Sequence, residues 1–228
     1  MDADSNFVES DSGIWRDRTS ELLGTQKTHA QKGGPLMLTI QDLSFGYHTH
    51  ELVLDRFHLE LQDGELLALM GASGCGKSTL LQLIAGFLKP SSGKLQCRAQ
   101  KISYAFQEPR LFPWLTVEEN LKAVLPKNVS HDQISLALKE VELEGCETLY
   151  PDELSGGMKS RVSLARALLY DGDLFLLDEP FSALDRELRM ALVQRLRAYL
   201  KQNGRSAILV THQAEDAELF ADRLVIME

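Results

Sequence analysis

Apolar and polar positions alternate in two different rhythms along the chain, and the rhythm changes at well-marked turns. The run "LMLTIQDLSF" from Leu36 alternates with period two, as does "LVLDRFHLEL", and "ELLALM" follows after the turn signal "QDGE". These three runs predict strands between residues 36 and 70. A helical stretch, "KSTLLQLIAGFL", follows and stops before Pro90. After "KPSSGKL" comes a short strand, "KISYAF", and residues 108 to 169 read as mostly helical, broken by Pro109, Pro113, Pro126 and Pro151. "DLFLLDEP" is a continuous apolar run of the kind that a strand buried on both faces requires. The helix "RELRMALVQRLRAYLKQNG" ends at Gly204, "SAILVTH" is a second buried strand, "QAEDAELFA" a helix and "DRLVIM" a last strand. Strands alternating with helices predict an α/β fold whose mostly parallel sheet is covered on both faces.

Residues 1–35 do not share these rhythms. They are polar, have few periodic apolar positions and end in "KGGP", which predicts a flexible N-terminal tail ahead of a folded domain at 36–228. Met37 stands where a second translation start is conceivable, an alternative to an ordered extension.

Composition narrows the functional classes. At 228 residues with 44% hydrophobic and 25% charged positions, the chain suits one α/β domain with a substantial core. A formal net charge of −9 argues against a general grip on nucleic acid, which needs Lys and Arg opposite phosphate. Cys75, Cys97 and Cys146 form no C-x-x-C pair, so neither a disulfide framework nor a zinc site is expected, and a reducing compartment fits. No apolar run approaches the roughly 20 residues of a membrane span, and the N-terminus lacks a secretory pattern. The expectation is a cytosolic protein that reaches a membrane only through a partner.

The chemistry concentrates in a few short stretches. Gly71-Ala72-Ser73-Gly74-Cys75-Gly76-Lys77-Ser78 fits G-x-x-x-x-G-K-[ST], with a buried strand before it and a helix after it. The glycines let successive N–H groups curl around a phosphate, and the helix N-terminus adds partial positive charge. Lys77 would reach the β- and γ-phosphates of a nucleoside triphosphate, Ser78 would hold Mg²⁺, and Thr79 completes the loop. Cys75 is either a small filler or a thiol favoured as thiolate by its place at a helix start. Asp178, at the end of "LFLLD", suits a second magnesium anchor, and adjacent Glu179 suits the base that orients water. A second glycine pair, Gly156 and Gly157 after Ser155 in "DELSGGMKSRVSLARALL", reads either as a helix cap or as another anion site.

Over residues 37 to 228 the order of these motifs resembles the ATP-binding subunit of ABC transporters. The resemblance implies the P-loop ABC-ATPase fold: a mostly parallel sheet core, a small antiparallel β subdomain and a helical subdomain at about 108–163. "LSGGM" (Leu154 to Met158) resembles the family's signature, so that Ser155, Gly156 and Gly157 would bind the γ-phosphate held by a partner's phosphate loop. Gln107 in "YAFQEPR" resembles the loop glutamine that touches Mg²⁺ and water. His212 in "ILVTHQ" resembles the switch histidine at the γ-phosphate, Tyr47 the aromatic that stacks on adenine, and "SALD" (Ser182 to Asp185) the loop along the dimer interface. ATP and Mg²⁺ are the implied cofactors. The implied partners are a second ATPase copy, an integral membrane permease and, through it, a solute-binding protein, at the cytoplasmic face of the membrane.

"FQEPRLFPWLTVEEN" and "YPDELSGGMK" look most like the nitrate, sulfonate and taurine importer branch, with a thiamine-type or other importer as the alternative. Phe112 and Trp114 read either as core or as the start of a permease groove. Ser160 stands where relatives commonly carry Gln, which puts its contacts beside the γ-phosphate in doubt, and the end at Glu228 leads us to expect no regulatory domain. A chromosome-maintenance ATPase would need a coiled coil, a translation factor two such domains, and a small-molecule kinase would lack "LSGGM" with "SALD".

Overall fold

A computed structural model describes residues 34–48, 51–125 and 130–228. The tail expected at 1–35 lies outside these residues except for its last two. From Pro35 onward the chain forms one compact unit.

Three strands make an antiparallel sheet in the order β2-β1-β4: β1 is Leu36–Phe45, β2 Leu54–Gln62 and β4 Ser92–Cys97. Five strands make an entirely parallel sheet in the order β5-β6-β7-β3-β8, with β3 Leu66–Gly71, β5 Ile102–Ala105, β6 Leu174–Asp178, β7 Ser206–Val210 and β8 Arg223–Met227. Every residue of β6 and β7 is buried, which is why both read as unbroken apolar runs. Their alternate residues serve different cores. Phe175, Leu177, Ala207 and Leu209 enter one apolar cluster with the helices of the α-rich side. Leu174, Leu176, Ile208 and Val210 enter a second, which contains α1 (Lys77–Ile84) and the inner face of the antiparallel sheet. The phosphate loop joins β3 to α1, so the segment most crowded with glycine is anchored by a central strand and a helix buried between two sheets.

The remaining helices are α2 (Val117–Lys122), α3 (His131–Glu140), α4 (Gly156–Tyr170), α5 (Arg186–Gln202) and α6 (Ala214–Phe220), with a 3₁₀ turn at Pro151–Glu153. Three sequence expectations need correction. The first helix stops at Ile84, not just before Pro90, because Gly86 takes φ +77° and closes a Schellman motif: Gly86 N–H donates to Leu83 O (3.1 Å) and Phe87 N–H to Gln82 O (2.9 Å). "SGKLQC" is a strand, β4, whose mostly exposed edge position hid the apolar alternation. Residues 108–169 are less helical than their periodicity suggests. The stretch after Gln107 is irregular backbone organised by buried Asn120, which accepts from Phe112 N–H (2.7 Å) and donates to the carbonyls of Phe112, Leu115 and Thr116 at 3.0–3.1 Å. Pro126 lies outside the described residues.

Candidate nucleotide site

A cavity of about 560 Å³ opens at the carboxyl ends of the parallel strands. Its floor is the phosphate loop: Gly71, Ser73, Gly74, Gly76, Lys77, Ser78 and Thr79 line it. Two glycines there are forced by conformation and space. Gly76, at the N-cap of α1, has φ +98°, and a Cβ on it would stand 2.9 Å from Leu54 Cδ2; Gly71 has φ +152°, and a Cβ would stand 2.3 Å from Met227 O. Gly74, at φ +83°, has nothing of its own chain within 4 Å of where a Cβ would be, so the cradle is open on the cavity side.

Lys77 is 92% buried, and its ammonium donates to the carbonyls of Gly71 (2.9 Å) and Ala72 (2.7 Å), folding the cation over the loop that would receive phosphate. Cys75 Sγ is a further 3.7 Å neighbour of that ammonium and does not line the cavity. Ser78 Oγ donates to Asp178 Oδ1 at 3.0 Å. Burial pushes the Asp178 carboxyl above the usual carboxylate range, partly offset by this hydrogen bond. A buried carboxylate next to a hydroxyl is a hard-oxygen donor pair, and a dication there would remove the cost of burying the charge. The pair fits Mg²⁺.

Around the rim stand Tyr47, Val53, Gln107, Glu179 and His212. Tyr47 is 57% exposed, sets its ring edge-on to Phe45 (5.0 Å between centroids), and its hydroxyl lies 3.2 Å from Thr79 Oγ1. Its open face can accept a planar base. Glu179 follows β6 in the left-handed conformation, φ +47°, with its N–H donating to Val210 O (3.0 Å). After this turn the carboxylate meets His212, whose Nδ1–H donates to Glu179 Oε2 at 3.1 Å. Val53 was not foreseen, since nothing distinguishes a strand valine that happens to face a ligand.

Ser155, Gly156 and Gly157 do not line this cavity. Ser155 caps α4, accepting from Met158 N–H at 3.2 Å, so the capping alternative is present in the structure. Gly157 is needed for packing, because a Cβ on it would come within 2.9 Å of Ala183 O in the "SALD" loop. Gly156 faces open space, with nothing of its own chain within 4 Å. Ser160, on the same turn, donates to Gly156 O (3.2 Å). The "SALD" loop links the two regions: Ser182 Oγ donates to Glu179 O (3.1 Å) at one end, and Asp185 caps α5 at the other. Phe112 and Trp114 are 40% and 70% exposed with rings 5.6 Å apart, which removes the core reading for them.

The family profile described as ABC transporter matches residues 54–182, more than half of the chain. The chain belongs to the ABC transporter family. As a member of it, the chain binds ATP and is an ATP hydrolase. It is 40% identical to the aliphatic sulfonates import ATP-binding protein SsuB 2 of Pseudomonas syringae pv. tomato over 184 residues, 81% of this chain and 78% of that one. It is 42% identical to SsuB of Bacillus cereus, over 77% of this chain and 73% of that one. Among solved structures, the dimeric MJ0796 bacterial ABC transporter cassette superposes with TM-score 0.78 at 29% identity, covering 84% of this chain and 94% of that one. Its dimeric post-hydrolysis form, bound to ADP and Pi, gives 0.77 at the same identity and coverage. Among the described residues no helix is long and apolar enough to cross a membrane.

Proposed function

We propose that the chain is the ATP-hydrolysing subunit of an ABC import system for aliphatic sulfonates, and that two copies close head to tail on two ATP molecules. The observation that carries the dimer is the division of the site. The cavity is lined by the phosphate loop, Ser78 and Glu179, with Asp178 bonded to Ser78 behind the lining, yet the second glycine-rich helix start does not line it and has open space over Gly156. In the closed pair, the Ser155 hydroxyl and the Gly156 and Gly157 amides of one copy bind the γ-phosphate held by Lys77 of the other. The dimeric cassettes at TM-scores of 0.77 and 0.78 support that arrangement. The sulfonate cargo rests on the names of the 40–42% identical relatives, both aliphatic sulfonates import ATP-binding proteins.

The chemistry follows from the residues. Lys77 exchanges the Gly71 and Ala72 carbonyls for the β- and γ-phosphate oxygens, a charge-assisted contact made at little conformational cost. Ser78 and Asp178, with Gln107, would hold Mg²⁺, which when bound neutralises charge on the phosphates. Tyr47 stacks on the adenine. Glu179 accepts the proton of the attacking water, and His212 holds that carboxylate in place and contacts the γ-phosphate. In this reading residues 36–228 form the ATPase domain, with the helical subdomain at about 108–163. The groove beginning at Gln107, with exposed Phe112 and Trp114, receives a membrane permease on the cytoplasmic side, and a solute-binding protein delivers cargo to that permease.

Glu179→Gln is the test. It keeps ATP affinity, lowers turnover by roughly 10² to 10⁴-fold, and traps a dimer with ATP and Mg²⁺ on size exclusion. Turnover near that of the unmodified protein, or a monomer under those conditions, removes the reading. The cargo is checked separately: cells lacking the chain lose uptake of a labelled alkanesulfonate and regain it with the gene restored.

A further inference from the structure

Behind His212 lies a buried polar cluster whose residues do not line the cavity. Thr211 and Asp216 are 4% and 2% exposed. Thr211 Oγ1 donates to Asp216 Oδ2 (3.3 Å) and accepts from Gln213 N–H (3.1 Å), so the loop carrying His212 is closed on both sides of the histidine. The side chain of Arg189 on α5 is 12% exposed, with its Nε 3.0 Å from Asp216 Oδ1, too far out of line for a hydrogen bond. One turn earlier, Arg186 makes a two-pronged contact with Glu215, Nη2 to Oε1 at 2.6 Å and Nε to Oε2 at 3.0 Å. Thus two arginines at the start of α5 meet two acids at the start of α6. α5 is capped by Asp185, the last residue of "SALD", and α6 begins two residues after His212.

We propose that Asp216, held by Arg189 and Thr211, is a positioning residue that fixes His212 against Glu179 and makes the His212 loop and the "SALD" loop move as one body. An apolar contact between two helix starts would be as stable as a buried ion pair, because desolvation offsets most of the Coulomb gain. What the polar cluster adds is placement: the Thr211 hydrogen bond orients one carboxylate oxygen, and the Arg189 charge holds the other beside the start of α5. Burial pushes the Asp216 carboxyl upward, and Arg189 and the Thr211 hydrogen bond oppose this. The inference rests on the proposed role of His212.

The experiment measures ATP turnover of the full chain at steady state, and with enzyme in excess so that slow variants are read. Asp216→Asn lowers kcat about tenfold with KM for ATP within about twofold and an unfolding midpoint within a few degrees of the parent, while Asp216→Glu restores most of the rate. In a His212→Ala background, Asp216→Asn costs less than about twofold, since its effect passes through the histidine. Thr211→Val against Thr211→Ser repeats the comparison without touching the buried charge. An equal loss in both backgrounds overturns the inference, as does an unchanged kcat in both Asp216→Asn and Thr211→Val. If His212→Ala is slow but these variants are not, the inference alone fails. If His212→Ala turns over normally, the role of His212 fails and takes the inference with it.

Discussion

Gly156 and Gly157 are adjacent and identical, yet their surroundings give them different reasons to be glycine. A methyl group on Gly157 presses on Ala183 O at 2.9 Å, a backbone atom that cannot swing aside. Gly157→Ala is therefore expected to cost about 1 to 3 kcal/mol, seen as a lower unfolding midpoint of the isolated protein. Gly156 has no such neighbour and no left-handed backbone, so Gly156→Ala leaves the isolated protein as stable or gains up to about 1 kcal/mol of helix propensity. Its cost falls on turnover, at least about tenfold, if the open space belongs to a second copy's γ-phosphate. A stable, fully active Gly156→Ala variant would remove that glycine from the partner's site. Sequence alone marks both glycines as an anion site or a cap and cannot separate them, because the neighbour that distinguishes them, Ala183, is 26 residues away along the chain.

α4 carries the signature at its start and, ten residues later, a device the sequence did not single out. Arg166 donates through Nη2 to Pro109 O (2.8 Å) and through Nη1 to Arg110 O (3.1 Å), binding the helix to the loop just after Gln107. Burial pushes the Arg166 pKa down. Arg110 in turn sets its guanidinium 4.3 Å from the centre of the Phe106 ring. Arg166→Ala strands two carbonyls and is expected to cost about 2 kcal/mol. Amide hydrogen exchange should then rise in residues 108–115 before it rises in β6, whereas uniform exchange across the protein would mean that Arg166 supports the fold alone. Elements whose burial is two-sided, such as β6 and β7, were legible from their apolar runs. β4 and the end of α1 were not, since an exposed edge strand has little apolar signal and a Schellman turn depends on one glycine's backbone.

On the scale of the whole protein, Asp222 ties α5 to the parallel sheet. Its carboxylate accepts from Lys201, from Arg197 Nη2 (3.0 Å) and from Leu66 N–H (3.0 Å) at the start of β3. Burial alone would raise this carboxyl, but the hydrogen bonds from Lys201, the Leu66 amide and Arg197 hold it below the usual range. The folded value lies below the unfolded one, so the stabilisation is present above about pH 4 and is lost as the pH falls through the folded value. Asp222→Asn is expected to cost about 1 to 2 kcal/mol at pH 7 and progressively less below about pH 4, measured by denaturant titration at each pH. A constant difference across that range would show that the charge is not what matters. By itself the sequence determined the alternation of strands and helices, the phosphate loop, the acid pair at the end of β6 and the order of motifs, because local periodicity and a fixed spacing of glycine, lysine and serine need only neighbours along the chain. Only the tertiary structure decided that Ser78 meets Asp178 across 100 residues, that His212 meets Glu179 and that Asp216 stands behind it. It also decided that Gly156 is left facing open space, since these are distances between strands and helix ends set by the packing of a parallel sheet.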